Sequence, residues 1–123
     1  MIENVVTTKE ERAIEDAIKI LFERHVGALV VTDNKGKCKG IFTERDALRS
    51  VAKKVPLDTN LRNVMSRNVV TVREDASFAE AKRLMVLHGV RHLPVVDNKG
   101  KLVGILTLRR ILDELMGIQT VKS

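Results

Sequence analysis

The sequence repeats itself at an offset of 64 residues, which aligns Asp97 with Asp33. The segment from Val26 to Leu48 reads VGALVVTDNKGKCKGIFTERDAL, and the second copy reads VRHLPVVDNKGKLVGILTLRRIL. The two segments align without a gap and share 13 of 23 residues. Two copies of one small unit therefore fill the chain, and we predict a first repeat over 1–60 and a second over 61–123. In a duplicated chain, a binding site is expected between the two copies. Positions at which the copies differ therefore help to locate the residues of the site.

Each copy reads as strand, helix, strand, strand, helix. In the first copy Val5-Val6 predicts a short strand, and apolar residues then recur at helical spacing up to Gly27, which we expect to end the helix. That apolar stripe comprises Ile14, Ala17, Ile18, Leu21 and Phe22. Ala28 to Thr32 predicts a buried strand, and Asp33 to Gly36 predicts a turn into a second strand, Cys38 to Thr43. Glu44 to about Lys54 predicts the last helix.

The second copy repeats this order. Ser77 and Glu80 form a capping-box pattern that opens its helix, and Gly89 is expected to end it. The strand from Leu93 to Val96 and the turn from Asp97 to Gly100 follow. Between the copies, a short amphipathic turn is predicted from Leu61, Val64 and Met65.

These elements predict an α/β (α+β) fold. Each repeat would form a small three-stranded sheet with two helices, which is too small to be stable alone. We expect the two repeats to pack face to face around a pseudo-twofold axis, so that each buries its sheet.

The composition favours a cytoplasmic protein without membrane spans. Hydrophobic residues make up 44% and charged residues 31% of the chain. No apolar run approaches the roughly 20 residues needed to cross a bilayer, and the N-terminus lacks the apolar stretch of a signal peptide. Cys38 is the single cysteine, so the chain has neither an intrachain disulfide nor a cysteine-based zinc site.

The net charge of +6 favours anionic partners such as nucleotides, nucleic acid or an acidic protein surface. Three Phe, with no Trp or Tyr, leave few platforms on which bases could stack. Nucleic acid is therefore the weaker alternative, and an ordinary solvated basic surface explains the charge equally well.

The run LPVVDNKGKLVGILT, its spacing from the upstream helix and the duplication resemble the cystathionine-β-synthase (CBS) domain. The resemblance covers almost the whole chain and implies a pair of regulatory, non-catalytic domains. Such pairs bind adenosine-containing ligands such as AMP, ATP or S-adenosylmethionine in clefts between the copies. They commonly form homodimers, so we expect the last helices of the repeats to form a dimer face with Leu48, Val51, Leu112 and Leu115 as anchors.

Thr43 and Asp46 have two interpretations. Thr-x-x-Asp at a strand-to-helix junction is close to a capping box, which is a purely structural role. Alternatively, the helix start and its free N–H groups suit an anion or a sugar, and the Asp46 carboxylate could accept hydrogen bonds from two ribose hydroxyls. The resemblance favours the ligand role.

The resemblance implies two unequal ligand sites. The first site combines the junction at Asp46 with residues of the second repeat. Ile41 and Val90 would contact adenine, and Arg91 and His92 would lie near phosphates. The full set is Ile41, Thr43, Asp46, Thr71, Ala76, Val90, Arg91 and His92. In the weaker second site Arg110 replaces Asp46, and a guanidinium cannot accept a hydrogen bond from ribose. That site comprises Thr7, Arg12, Val26, Gly27, Ile105, Thr107 and Arg110.

No catalytic or metal-binding pattern appears. His88 and His92 are four residues apart, but Gly89 interrupts the helix that would align them as zinc ligands. We therefore expect a non-enzymatic sensor of an adenosine-containing ligand that signals to an effector protein. The alternatives are an assembly module without a ligand and a nucleic-acid-binding accessory protein.

Overall fold

The computed structural model describes residues 3–117, which form two compact units. One unit is Val5–Val69; the other is Val70–Ser123 together with Met1–Asn4. In the first unit β1 is Thr7–Thr8, α1 is Ile14–Arg24, β2 is Ala28–Thr32, β3 is Cys38–Thr43 and α2 is Glu44–Ala52. In the second, β4 is Val72–Arg73, α3 is Phe78–His88, β5 is His92–Val96, β6 is Leu102–Thr107 and α4 is Leu108–Met116.

The mixed α/β fold predicted from the repeats is confirmed. Each unit holds one three-stranded sheet, in the order β1-β2-β3 or β4-β5-β6. The first two strands of each sheet are parallel, and the second and third form an antiparallel hairpin. None of the helices in residues 3–117 is long and apolar enough to span a bilayer.

The two hairpin turns are held by equivalent aspartates. The Asp33 carboxylate accepts hydrogen bonds from the main-chain N–H groups of Lys35 and Lys37, at 2.8 and 3.0 Å. Asp97 accepts two bonds of the same kind, from Lys99 and Lys101. These N–H groups, first among them that of Lys37, lower the pKa of Asp33 below its ordinary value, and the pKa of Asp97 is lowered in the same way. Gly36 and Gly100 supply the positive φ that each turn needs.

Three local predictions were wrong. The first strand is the polar pair Thr7–Thr8, not Val5-Val6, because the pairing to β2 begins at Thr7. Helix α1 ends at His25, which adopts the left-handed conformation, and not at Gly27. Phe22 is 78% exposed, so it lies outside the apolar stripe that faces the core.

A segment after α2 completes the core of the first unit. Leu61 begins a short 3-10 turn, is fully buried and packs with Ile14, Val31 and Phe42. Met65 belongs to the same core, and Ser66 pairs with Ile41 at the outer edge of β3. Packing thus places residues 61–69 in the first unit, whereas the division of the sequence after residue 60 stays a prediction.

The N-terminal residues pair with the other sheet. Glu3 forms an antiparallel bridge with Ile105 on β6, with main-chain N···O distances of 2.8 and 3.0 Å. Ile105 is the counterpart of Ile41 at the 64-residue offset, so the outer strand of each sheet receives the same kind of partner.

The close approach of the 65–66 segment to β3 depends on a glycine. A Cβ at Gly40 would lie 2.8 Å from the Met65 Sδ and 2.8 Å from the Ser66 carbonyl oxygen. The sulfur can move, but the carbonyl belongs to the bridge with Ile41 and cannot move without breaking it. We expect Gly40→Ala to lower the free energy of unfolding by about 1–3 kcal/mol.

Urea unfolding followed by circular dichroism measures this loss. Lys39→Ala, at the neighbouring exposed position of β3, is the matched control and should change stability by less than about 0.5 kcal/mol. Equal stability of both variants would contradict the steric assignment.

Candidate functional site

The junction of β3 and α2 presents a carboxylate at a helix start. Thr43 is the N-cap of α2, and its hydroxyl oxygen accepts a hydrogen bond from the Asp46 N–H at 3.2 Å. In return, Asp46 Oδ2 accepts from the Thr43 N–H at 2.9 Å and from the Thr43 hydroxyl at 3.1 Å. The capping box is therefore complete, and the structural interpretation of these two residues is confirmed.

The second oxygen of Asp46 contacts a residue that sequence reasoning missed. Arg49 Nη1 donates to Asp46 Oδ1 at 2.8 Å, one helical turn later. The Arg49 side chain is half exposed, whereas Asp46 is 7% exposed. Arginine three residues after an acidic residue on a helix is a common ion-pair spacing, and this signal was available in the sequence. A ligand hydroxyl approaching Oδ1 would replace or share this contact, because a carboxylate offers about four acceptor positions.

The equivalent junction of the second repeat lacks the carboxylate. Thr107 caps α4 by accepting from the Arg110 N–H at 3.1 Å, so half of the box is kept. Arg110 Nε lies 3.8 Å from Glu114 Oε1, which is too far for a hydrogen bond. This nitrogen atom is buried and has no hydrogen-bond partner among the described residues. The replacement of Asp46 by Arg110 thus changes the helix cap: α2 begins with a complete capping box, and α4 with the threonine half of it.

The other predicted residues of the first site lie on both units. Ile41 is 9% exposed on β3. In the second unit Thr71 precedes β4, Ala76 is half-buried ahead of α3, and Arg91 is exposed just before β5. Val90 is half-buried after α3, and His92 is the first residue of β5. The grouping of these residues into one ligand site stays a prediction.

Two residues of the weaker predicted site form hydrogen bonds within the first unit. Arg12 Nε donates to the Thr8 hydroxyl at 3.1 Å, and Gly27 accepts a main-chain hydrogen bond from Glu44 at 3.0 Å. Thr7 is exposed on β1, Val26 is half-buried and Ile105 is 7% exposed on β6. The occupation of this site also stays a prediction.

Neither metal chemistry nor thiol chemistry is supported in the described residues. No group of three or more His, Cys, Asp or Glu within residues 3–117 could hold a metal ion. Burial raises the pKa of the Cys38 thiol, which donates weakly to the Gly40 carbonyl at 3.7 Å. A raised pKa leaves less of the reactive thiolate at neutral pH. Cys38 itself is half-buried on β3.

Comparison with known proteins finds one family. The model of the CBS domain matches residues 1–53 and 61–117. An uncharacterized protein of Methanopyrus kandleri is 43% identical over 104 residues, which are 83% of this chain and 53% of that protein. This chain therefore spans about half the length of that relative.

Solved structures resemble the whole chain. The CBS domain protein PAE2072 from Pyrobaculum aerophilum, complexed with AMP, has a TM-score of 0.84 at 30% identity and is matched over 95% of both chains. The CBS domain pair of protein MJ0100, in complex with 5-methylthioadenosine and S-adenosyl-L-methionine, has a TM-score of 0.84 at 29% identity. That likeness covers 94% of this chain and 93% of the other.

Removal of the capping box should lower the stability of the protein measurably. Asp46→Ala removes the acceptor of the Thr43 N–H, so we expect the free energy of unfolding to fall by about 1 kcal/mol. Asp46→Asn keeps an oxygen acceptor and should lose less. Arg110→Ala, at the equivalent position of α4, is the matched control, because Thr107 caps the Arg110 main chain whatever its side chain. Chemical unfolding of the three variants checks this order, and an Asn variant as unstable as the Ala variant would contradict it.

Proposed function

Because the chain belongs to the CBS-domain family, we propose that it is a regulatory module that binds an adenosine-containing ligand and has no catalytic activity of its own. The proposal is carried by the structural likeness to a CBS domain protein complexed with AMP. This likeness covers 95% of each chain. The MJ0100 pair supports the same ligand class, since it holds two adenosine derivatives that carry no phosphate. AMP, ATP and S-adenosylmethionine are the candidate ligands.

Asp46 is the proposed ribose acceptor. Its carboxylate is oriented by two hydrogen bonds from Thr43, so one oxygen is fixed before a ligand arrives. Within residues 3–117, the other oxygen accepts its hydrogen bond from the half-exposed Arg49, which can move away at small cost. A preoriented acceptor binds hydroxyl groups with less loss of side-chain entropy than a mobile one.

The remaining contacts follow from the family resemblance. Ile41 and Val90 would supply apolar contact for adenine, with Thr71 and Ala76 beside it, while Arg91 and His92 would lie near phosphates. Arg91 is exposed and carries a positive charge that can pair with a phosphate. We propose that the signal passes to an effector protein through a ligand-dependent change in this module.

Assembly without a ligand is the second candidate, and exposed apolar side chains favour it. Leu48 and Val51 on α2 are 70% and 55% exposed, and Leu112 and Leu115 on α4 are 47% and 56% exposed. About half or more of the surface of each side chain is therefore exposed. We propose that both helices contribute to a homodimer face, which is compatible with ligand binding elsewhere.

Ligand binding is tested by titration calorimetry with AMP, ATP, S-adenosylmethionine and adenosine. We expect saturable binding of at least one of them, and Asp46→Asn should weaken it by about 1–3 kcal/mol because one acceptor and the charge are lost. Asp58→Asn, at an exposed position of the segment between the repeats, makes the same change of charge and should leave affinity unchanged.

Two outcomes would contradict the ligand assignment. If the folded protein binds none of the four compounds, the assembly module is the better description. If Asp46→Asn binds as tightly as the unmodified protein, Asp46 is only a helix cap. A steep salt dependence of oligonucleotide binding, in place of nucleotide binding, would favour the nucleic-acid alternative.

Dimer formation is tested by light scattering coupled to size-exclusion chromatography. We expect twice the chain mass of 13.8 kDa, and we expect Leu112→Glu to give the single-chain mass, since a charge in an apolar seam is unpaired. Val103→Glu is the matched control, because Val103 is 44% exposed on β6, outside both helices. A dimer that survives Leu112→Glu would place the interface elsewhere.

A further inference from the structure

Three hydrogen bonds reach the carboxylate of Asp46 from its own repeat. Oδ2 accepts from the N–H of Thr43 at 2.9 Å and from the Thr43 hydroxyl at 3.1 Å. Oδ1 accepts from Nη1 of Arg49 at 2.8 Å. Because a carboxylate offers about four acceptor positions, about one position is left on this group.

A ribose would need two of these positions. Its two neighbouring hydroxyl groups can both donate to one carboxylate. Together with the three bonds from Thr43 and Arg49 they would make five donors for about four acceptor positions. One of the present donors must therefore leave Asp46 when both hydroxyls bind.

Arg49 is the donor that can leave. Its side chain is half exposed, so water can solvate the guanidinium after it separates from Asp46, and exposed ion pairs contribute little to stability. The bonds from Thr43, in contrast, belong to the capping box that begins α2, and their loss would leave main-chain groups of the first turn without partners. Ligand binding therefore breaks the contact between Asp46 and Arg49.

The second repeat exchanges the charges of this pair. At the 64-residue offset, Asp46 and Arg49 correspond to Arg110 and Asp113. Opposite charges three residues apart support a helix in either order, so helix stability alone does not require the order found in α2. Because a guanidinium accepts no hydrogen bonds, competition between an arginine and ligand hydroxyls can arise at the first of the two junctions and not at the second.

We propose that Arg49 competes with the ligand hydroxyls for Asp46, and that its displacement is the ligand-dependent change of this module. The inference rests on the proposed function. Displacement frees the guanidinium on the exposed side of α2, four residues from Arg45 and four from Lys53, which are both exposed. Ligand binding thereby changes the hydrogen-bond donors that α2 offers to an effector protein, and it does so without a change of fold.

Titration calorimetry with adenosine measures the competition. Adenosine carries no charge, so the removal of a positive charge affects its binding chiefly through Asp46. We expect Arg49→Ala to bind adenosine about two- to fivefold more tightly than the unmodified protein, as for the loss of one partly exposed ion pair. Arg49→Gln keeps a neutral donor and should show a smaller gain, and it replaces the Ala variant if that variant does not fold.

Two matched controls isolate the contact. Lys53→Ala removes a positive charge from the exposed end of the same helix and should leave the affinity for adenosine unchanged. In the Asp46→Asn background, Arg49→Ala should raise the affinity by less than about twofold, because the charge that attracts Arg49 is absent. AMP takes the place of adenosine if the protein binds AMP alone, with Lys53→Ala as the reference for the lost charge.

Salt gives a readout that a purely structural arginine would not change. Screening weakens the partly exposed ion pair, so the affinity of the unmodified protein for adenosine should rise by about twofold between about 50 and about 500 mM sodium chloride. The Arg49→Ala variant should lack this rise. Equal salt dependence of the two proteins would contradict the competition.

The displacement itself is observed by nuclear magnetic resonance of the Arg49 side chain in ¹⁵N-labelled protein. The hydrogen bond from Nη1 to Asp46 restrains rotation of the guanidinium about the Nε–Cζ bond, and its loss removes that restraint. The two Nη signals of Arg49, identified by their absence from Arg49→Lys, should therefore merge at saturating adenosine. Signals that stay separate in the saturated protein would overturn the displacement.

The outcomes separate this inference from the proposed function. If Arg49→Ala binds adenosine no more tightly than the unmodified protein, while Asp46→Asn binds it less tightly, the competition is overturned and the proposed function stands. If the unmodified protein binds none of adenosine, AMP, ATP and S-adenosylmethionine, the proposed function fails and this inference fails with it.

Discussion

The first repeat depends on the burial of Leu61, a residue outside its own strands and helices. A sheet of three strands, one of them two residues long, with two helices offers little apolar area, and each fully buried leucine contributes about 1.5–3 kcal/mol. The carbonyls of Thr59 and Leu57 also accept hydrogen bonds from the Ile14 and Glu15 N–H groups at the start of α1, which has no side-chain cap. The segment between the repeats is therefore part of the first core and not a flexible spacer, and Gly40 permits its close approach.

The same carboxylate has a structural role and a proposed recognition role. Asp46 completes a capping box through one oxygen and contacts Arg49 through the other. These roles are compatible, because the structural bonds orient the group that would meet the ligand. Arg110 at the equivalent position keeps the N-cap threonine but loses the acceptor. Both junctions therefore share the N-cap threonine, which starts the helix. They differ in the carboxylate, which ligand recognition would require.

The repeat made the hairpins and the fold class predictable from the sequence. The bounds of β2 and β3 agree with prediction because the Asp-Asn-Lys-Gly turn limits both strands. The first strand was misplaced because Thr7–Thr8 are polar and only two residues long, so pairing to β2 decides the strand rather than local pattern. Similarly, His25 ends α1 in a conformation that favours glycine, which no local signal indicates.

The candidate site was predictable only in part. The capping box of Thr43 and Asp46 could be recognised because its pattern is local, whereas the ligand role favoured for these residues stays a prediction. The role of residues 59–62 was missed, because Leu61 alone predicts an apolar turn and does not say which core receives it. That assignment depends on tertiary packing between segments that are distant in sequence.

The pairing of Glu3 with Ile105 bears on the order of folding. Val5–Val69 is continuous in sequence, so all of its contacts can form as soon as that stretch of chain is available. The second unit is discontinuous, since the outer edge of β6 receives a residue that precedes the whole first unit. During synthesis the first unit can therefore close while Glu3 still lacks its partner. The bridge then forms late, at the entropic cost of a loop that contains an already folded unit.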